Sequence, residues 1–120
     1  MSERPHRRLI AWQKAMTLIE TIYKLTERFP REERFGLVMQ MRRAAVSIAS
    51  NIAEGLARHT AKETLQALYI ARGSVSELDT QVDAAARLRF IDGEPCATTL
   101  SDVDEVGRLL NGLITSKRRL

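Results

Sequence analysis

An up-down-up-down antiparallel four-helix bundle, all-α, is the fold class this sequence predicts, and three observations predict it. Apolar residues recur at three- and four-residue spacing along almost the whole chain, and no stretch alternates as a strand would. Pro and Gly are few, at 3 and 6 in 120 residues, which argues against a turn-rich sandwich or barrel. Breaks fall only at Pro5, at Phe29-Pro30, between Gly55 and Thr60, and at Asp92-Gly93-Glu94-Pro95. Four long segments with short connections result, and short connections make successive helices antiparallel neighbours. The length suits a single domain over residues 1–120.

The first helix is expected at 8–29, where Ala11, Ala15, Leu18, Ile22, Leu25 and Phe29 form the seam and Pro30 stops it. The second is expected at 31–57, with Pro30 near its first turn and Glu32 and Glu33 well placed against the positive end of the helix dipole. Gly36 loosens that start. The third, 61–89, opens on Thr60-Ala61-Lys62-Glu63, a capping box, and runs along Ala67, Ala71, Val75, Leu78, Val82 and Ala85. The fourth, 93–117, takes Asp92 as N-cap, tolerates Pro95 in its first turn, and carries Cys96, Leu100, Val103, Gly107, Leu110 and Ile114. Helices of this length span roughly 30–40 Å each at ~1.5 Å per residue.

The second helix is too apolar for an outer position. From Leu37 to Leu56 its apolar residues sweep an arc of about 200° at ~100° per residue, interrupted by Arg42, whereas an outer helix needs about 100°. Trp12, Met16, Ile19 and Tyr23 widen the first helix in the same way. The surplus predicts cover by another copy of the chain, with Trp12, Met16, Val38, Arg42, Val46, Ala49 and Ala53 as interface residues. A helix simply central in a thick monomer is the rival reading.

The remaining arc aligns Gln40, Arg43, Ser47, Asn51, Glu54 and Arg58 at helical spacing, while Ser74, Glu77 and Gln81 border the third helix's seam. Amides, hydroxyls and guanidiniums in that pattern can hydrogen-bond as a ladder. A structural polar network of Gln40, Arg43, Ser47, Asn51, Glu54, Ser74 and Glu77 is expected, with Glu77 pairing with Arg43. Asn51→Leu or Arg43→Ala should then harm folding or assembly.

Charge is uneven: residues 1–62 hold 12 basic and 6 acidic side chains, and residues 63–120 hold 7 and 9. A basic half suits an acidic partner such as nucleic acid. The candidates are Arg4, Arg7 and Arg8, then Arg58, His59 and Lys62, then Lys117, Arg118 and Arg119. In an antiparallel bundle all three groups fall at one end. Trp12, Phe29 and Phe35 read as packing groups rather than base-stacking platforms. One cysteine, Cys96, and two separated histidines argue against a disulfide scaffold or a metal site, and no nucleotide-binding or catalytic motif appears. Neither an enzyme nor a cofactor is expected. No signal-like or membrane-spanning run is visible, so the cytoplasm is the default location.

The run Gln40-Met41-Arg42-Arg43-Ala44-Ala45-Val46-Ser47-Ile48-Ala49-Ser50-Asn51-Ile52-Ala53-Glu54-Gly55 resembles the signature of the 23S rRNA intervening-sequence proteins. Trp12-Gln13-Lys14-Ala15, Ile22-Tyr23, Phe29-Pro30, Gly36-Leu37, Ala71-Arg72-Gly73-Ser74, Glu77-Leu78 and Leu110-Asn111-Gly112-Leu113-Ile114 extend the likeness over almost the whole chain. The resemblance implies a four-helix bundle assembled as a homopentamer. It also implies kinship with the accessory variability determinant of diversity-generating retroelements, which binds nucleic acid and a reverse transcriptase. The expected function is therefore a non-enzymatic homo-oligomer, a pentamer by resemblance, holding RNA or DNA backbone at a basic end. The alternative is a protein–protein assembly or adaptor module that binds no nucleic acid.

Overall fold

Four helices make up the structure, a computed structural model describing residues 4–119: α1 (Ile10–Thr26), α2 (Leu37–Leu56), α3 (Ala61–Arg87) and α4 (Gly93–Arg118). Two short 3-10 turns, Pro5–Arg8 and Arg31–Glu33, precede α1 and α2. Each helix packs on its two neighbours, with α1 against α2 and α4 and α3 against α2 and α4. Among the described residues neither diagonal pair brings its backbones close together, so the helices stand at the four corners of an antiparallel bundle 45 × 28 × 21 Å in extent. No strand is present among the described residues.

The core is the convergence of the four seams. Leu18, Ile22, Met41, Ile48, Ile52, Leu68, Leu78, Val82, Val103, Val106, Leu110 and Ile114 are its fully buried large side chains. Leu68 and Val106 lie beside the expected seams, because each inward stripe is wider than a single row of residues.

Helix limits differ from the sequence expectation mainly at the first connection. The chain leaves α1 at Thr26, whose buried hydroxyl donates to the Ile22 carbonyl at 2.7 Å, not at Phe29. Phe29 instead caps the bundle end against Phe90, with ring centroids 5.4 Å apart. Residues 31–33 form a 3-10 turn, and Gly36 is non-helical, so α2 begins six residues later than 31. Glu33 still serves that helix start, its carboxylate accepting from the Leu37 amide at 3.3 Å.

The second connection follows its expected cap closely. The Thr60 hydroxyl accepts from the Glu63 amide at 3.1 Å and donates to the Glu63 carboxylate at 2.9 Å. The reciprocal bond thus runs between side chains rather than to the Thr60 amide. After α3, the Phe90 amide donates to the Ala85 carbonyl and the Arg89 amide to that of Ala86, a Schellman closure with Arg89 left-handed at φ 66°. Asp92 occupies the N-cap position of α4 without a side-chain capping bond.

α2 and α3 approach closely near the second connection. Gly55 is buried, and the Thr64 hydroxyl donates to its carbonyl at 2.8 Å. A Cβ on Gly55 would stand 3.2 Å from the Thr64 carbonyl oxygen and 3.3 Å from the Ala67 methyl. Ala44, Ala45 and Ala49, earlier along α2, are buried as well.

Candidate nucleic-acid interface

The broad apolar arc of α2 is mostly consumed within the chain itself. Met41, Ala44, Ala45, Ile48, Ala49 and Ile52 are all core residues, so most of the arc is covered from within the chain although α2 stands at a corner of the bundle. Two interface candidates fall with that arc: Val38 at 8% exposure and Ala49 at 3% already have their cover. Trp12 is half-buried against the core, and Ala53 is half-buried. Arg42 is committed too, for it lies 4.3 Å from the Tyr23 ring centroid and donates to the Thr26 hydroxyl at 3.0 Å and the Tyr23 carbonyl at 3.3 Å. It clasps α2 to α1.

What remains uncovered is narrower. Met16, Tyr23, Met39 and Val46 are exposed large apolar groups, and Phe35 is 79% exposed rather than packed as expected. Tyr23, Phe35, Met39 and Val46 line one groove of about 490 Å³ on the α1–α2 face, with Arg34, Arg42 and Arg43 at its edges. Phe35 escapes the core because the first connection turns it outward, a consequence of helix α2 starting at Leu37.

The polar ladder divides into parts. Ser47 and Ser74 share a hydrogen bond at 2.9 Å, and Asn51 Nδ2 donates to the Ser47 carbonyl at 2.9 Å and hydroxyl at 3.1 Å. That knot joins α2 to α3. Gln40, Arg43 and Glu77 line the same shallow groove, but no ion pair links Arg43 to Glu77 among the described residues. An exposed guanidinium gains little from a screened pair and loses rotamer freedom by forming one. Glu54 pairs with Arg58 one helical turn on, away from the knot.

Within the chain, these geometries set Arg43 apart from Arg42. Arg43→Ala is expected to change stability by no more than about 0.5 kcal/mol, as for an ordinary exposed side chain. Arg42→Ala should cost about 1–2 kcal/mol, since it removes charge-assisted hydrogen bonds and a ring contact. Thermal unfolding of the two variants side by side reads the difference; equal melting points would exclude the clasp.

All three basic clusters lie at the end where α1 begins, α2 passes to α3 and α4 stops, as the antiparallel order requires. The turn carrying Arg7 and Arg8 packs on both α1 and α2. Gln13 Nε2 donates to the Arg7 carbonyl at 2.8 Å, and the Arg7 guanidinium sits 5.6 Å from the Trp12 ring, which also meets His6 edge-on at 5.0 Å. Arg4, Arg8, His59, Lys62 and Arg119 are exposed, and Lys117 is half-buried. Arg58 is partly neutralised by its pairing: the Glu54 hydrogen bond and then the Glu54 charge raise its pKa above the usual guanidinium value. It stays cationic at every physiological pH.

Two residues of this end were not among the sequence candidates, Tyr69 and Arg72. Tyr69 on α3 meets the Arg118 guanidinium from α4 at 5.3 Å and the Arg72 guanidinium at 5.0 Å, and its hydroxyl accepts from Arg118 Nε at 2.9 Å. The available signal was an aromatic residue off the apolar seam with Arg three places later, on one helix face. Among the described residues no group of His, Cys, Asp and Glu could hold a metal ion, and no helix is long and apolar enough to cross a membrane.

The family model of the 23S rRNA-intervening sequence protein matches residues 7–112. A crystal structure from Bacteroides thetaiotaomicron VPI-5482, described as a protein of unknown function from the S23 ribosomal protein family, is similar in fold. It superposes with a TM-score of 0.81 at 20% identity, over 88% of this chain and 96% of that one. No curated protein matches the chain.

Proposed function

This chain belongs to the 23S rRNA-intervening sequence protein family, and from that premise we propose that it is a non-enzymatic, homo-oligomeric bundle gripping the phosphate backbone of RNA or DNA with its basic end. A pentamer is the assembly that the family resemblance favours. The observation carrying the reading is the convergence of Arg4, Arg7, Arg8, Lys62, Lys117, Arg118 and Arg119 on one end of the bundle. Basic side chains on ordered helix ends attract phosphate without reading base sequence. Assembly of several copies multiplies that field.

Self-association is supported by the apolar groove of Tyr23, Phe35, Met39 and Val46, whose exposure in water invites a covering surface. The same groove favours a second reading, an assembly or adaptor module whose partners are only itself and another protein.

Salt titration separates the two. The logarithm of affinity for a generic RNA or duplex should fall linearly with the logarithm of salt concentration, with a slope of about 0.7–0.9 per phosphate contact. Binding absent even at ~50 mM salt removes the nucleic-acid reading and leaves the adaptor. Sedimentation at micromolar concentration tests assembly, and a lone 13.6 kDa species would overturn it.

A further inference from the structure

From the arrangement around Tyr69 we infer that Arg72 and Arg118 form a phosphate clamp held in place by that tyrosine, the contact point for a phosphodiester. The inference rests on the nucleic-acid reading above and gives it a specific pair of side chains.

Long arginine side chains on a surface ordinarily sample many rotamers, and ordering them on a ligand costs affinity. Here the ordering is done beforehand. Tyr69 is 36% exposed, and two guanidiniums lie 5.0 and 5.3 Å from its ring centroid, within cation–π range. Arg118 Nε is fixed further by its 2.9 Å bond to the Tyr69 hydroxyl, which ties the last turn of α4 to α3. The terminal nitrogens of Arg118 and the whole Arg72 fork keep their donors for a ligand.

Like charges brought to one ring repel, and the usual remedy is a carboxylate between them. None serves here: among the described residues neither Arg72 nor Arg118 forms an ion pair. The sequence explains why. From Thr64 to Ser76 on α3, and from Val106 to Arg119 on α4, there is no Asp or Glu, although both helices carry acids farther along. Two guanidiniums gathered at one ring, with open donors and no ion pair among the described residues, can offer paired N–H donors to a phosphate's oxygens. Because the ring's neighbours are cations, Tyr69 acts as a holder and not as a base-stacking platform.

Free phosphate would present the same oxygens as a nucleic-acid backbone, and the test separates these sources. The probe is a fluorescein-labelled single-stranded RNA of about twenty uridines, followed by anisotropy across a salt series. Arg72→Gln should weaken binding about five- to tenfold and lower the salt slope by about 0.7. Tyr69→Leu, which alters no charge, should weaken it about threefold or more while lowering the melting temperature by a few degrees only, the cost of its bond to Arg118. Arg108→Gln removes the same charge from a side chain that Asp104 already holds at 2.9 Å, and should alter affinity less than twofold.

Equal effects of Arg72→Gln and Arg108→Gln would overturn the clamp and leave only diffuse attraction. Titration with pyrophosphate, followed through the arginine Nε–H NMR signals, tests the clamp apart from RNA. Shifts at Arg72 and Arg118 but not at Arg108 support it, and no shift at either refutes it. Should the protein bind pyrophosphate there but no RNA, the clamp stands with a free phosphate ligand while the nucleic-acid reading falls.

Discussion

Replacing Arg58, Lys62, Arg118 and Arg119 together with glutamine is expected to weaken RNA binding by at least two orders of magnitude at ~0.1 M salt. Every phosphate left without its cation weakens binding there by somewhat under one power of ten, through counterions that are no longer released. The four do not contribute alike. Arg58 counts least, as the Glu54 carboxylate already neutralises it. Arg118 counts most, as Tyr69 already orders it. All four side chains are exposed, so the sedimentation coefficient should stay that of the parent and the melting temperature should fall by only a few degrees, for the lost Arg118–Tyr69 and Arg58–Glu54 contacts. Retained affinity in the quadruple variant, with folding intact, would show that the basic end is not the binding surface.

Gly55→Val is expected to lower stability by about 2–3 kcal/mol, through overpacking where α2 and α3 come closest. The first added carbon would already meet the Thr64 carbonyl oxygen at 3.2 Å, the Ala67 methyl at 3.3 Å and Leu68 at 3.5 Å. A flexible side chain could yield, but the nearest of these atoms belongs to the backbone of α3. Either the helices separate, opening gaps around Ile52 and Leu68, or the Thr64 bond to the Gly55 carbonyl breaks. Replacing glycine by valine within a helix gains back only about 0.3–0.5 kcal/mol of propensity, less than the crowding costs. Melting should fall by roughly 10 °C for a domain of this size. An unchanged melting point would mean that α2 and α3 do not meet at Gly55.

Much of this architecture is written in local spacing. The seams through Ala11, Leu18 and Ile22, through Leu78 and Val82, and through Val103, Leu110 and Ile114 are core in the folded chain as their periodicity requires. The cap at Thr60 was equally legible, because Thr and Glu three residues apart satisfy each other without distant help. Of the site, the sequence displayed the basic clusters and their common end, since antiparallel order follows from short connections.

The departures from expectation have a shared origin. Gly36 and the 3-10 turn before it delay α2, and no periodicity in Glu32 or Glu33 reveals that. The 200° arc of α2 suggested cover from sister subunits, yet neighbouring elements of the same chain bury most of it, Val38 and Ala49 included. Arg42 and Arg43 are adjacent in sequence but opposite in role. One reaches a hydroxyl sixteen positions away, and the other stands over a groove without an ion pair among the described residues.

The sequence by itself therefore determined the four helices, their order, the stripes that meet in the core and the basic bias of one end, for these depend on spacing and composition along a single segment. Only the tertiary structure decided which apolar groups stay in water, which arginines are fixed, and that Arg118 meets Tyr69 across 49 positions. Such pairings depend on how far one helix slides and turns against the next. Packed side-chain volumes set that register, and no single segment contains it.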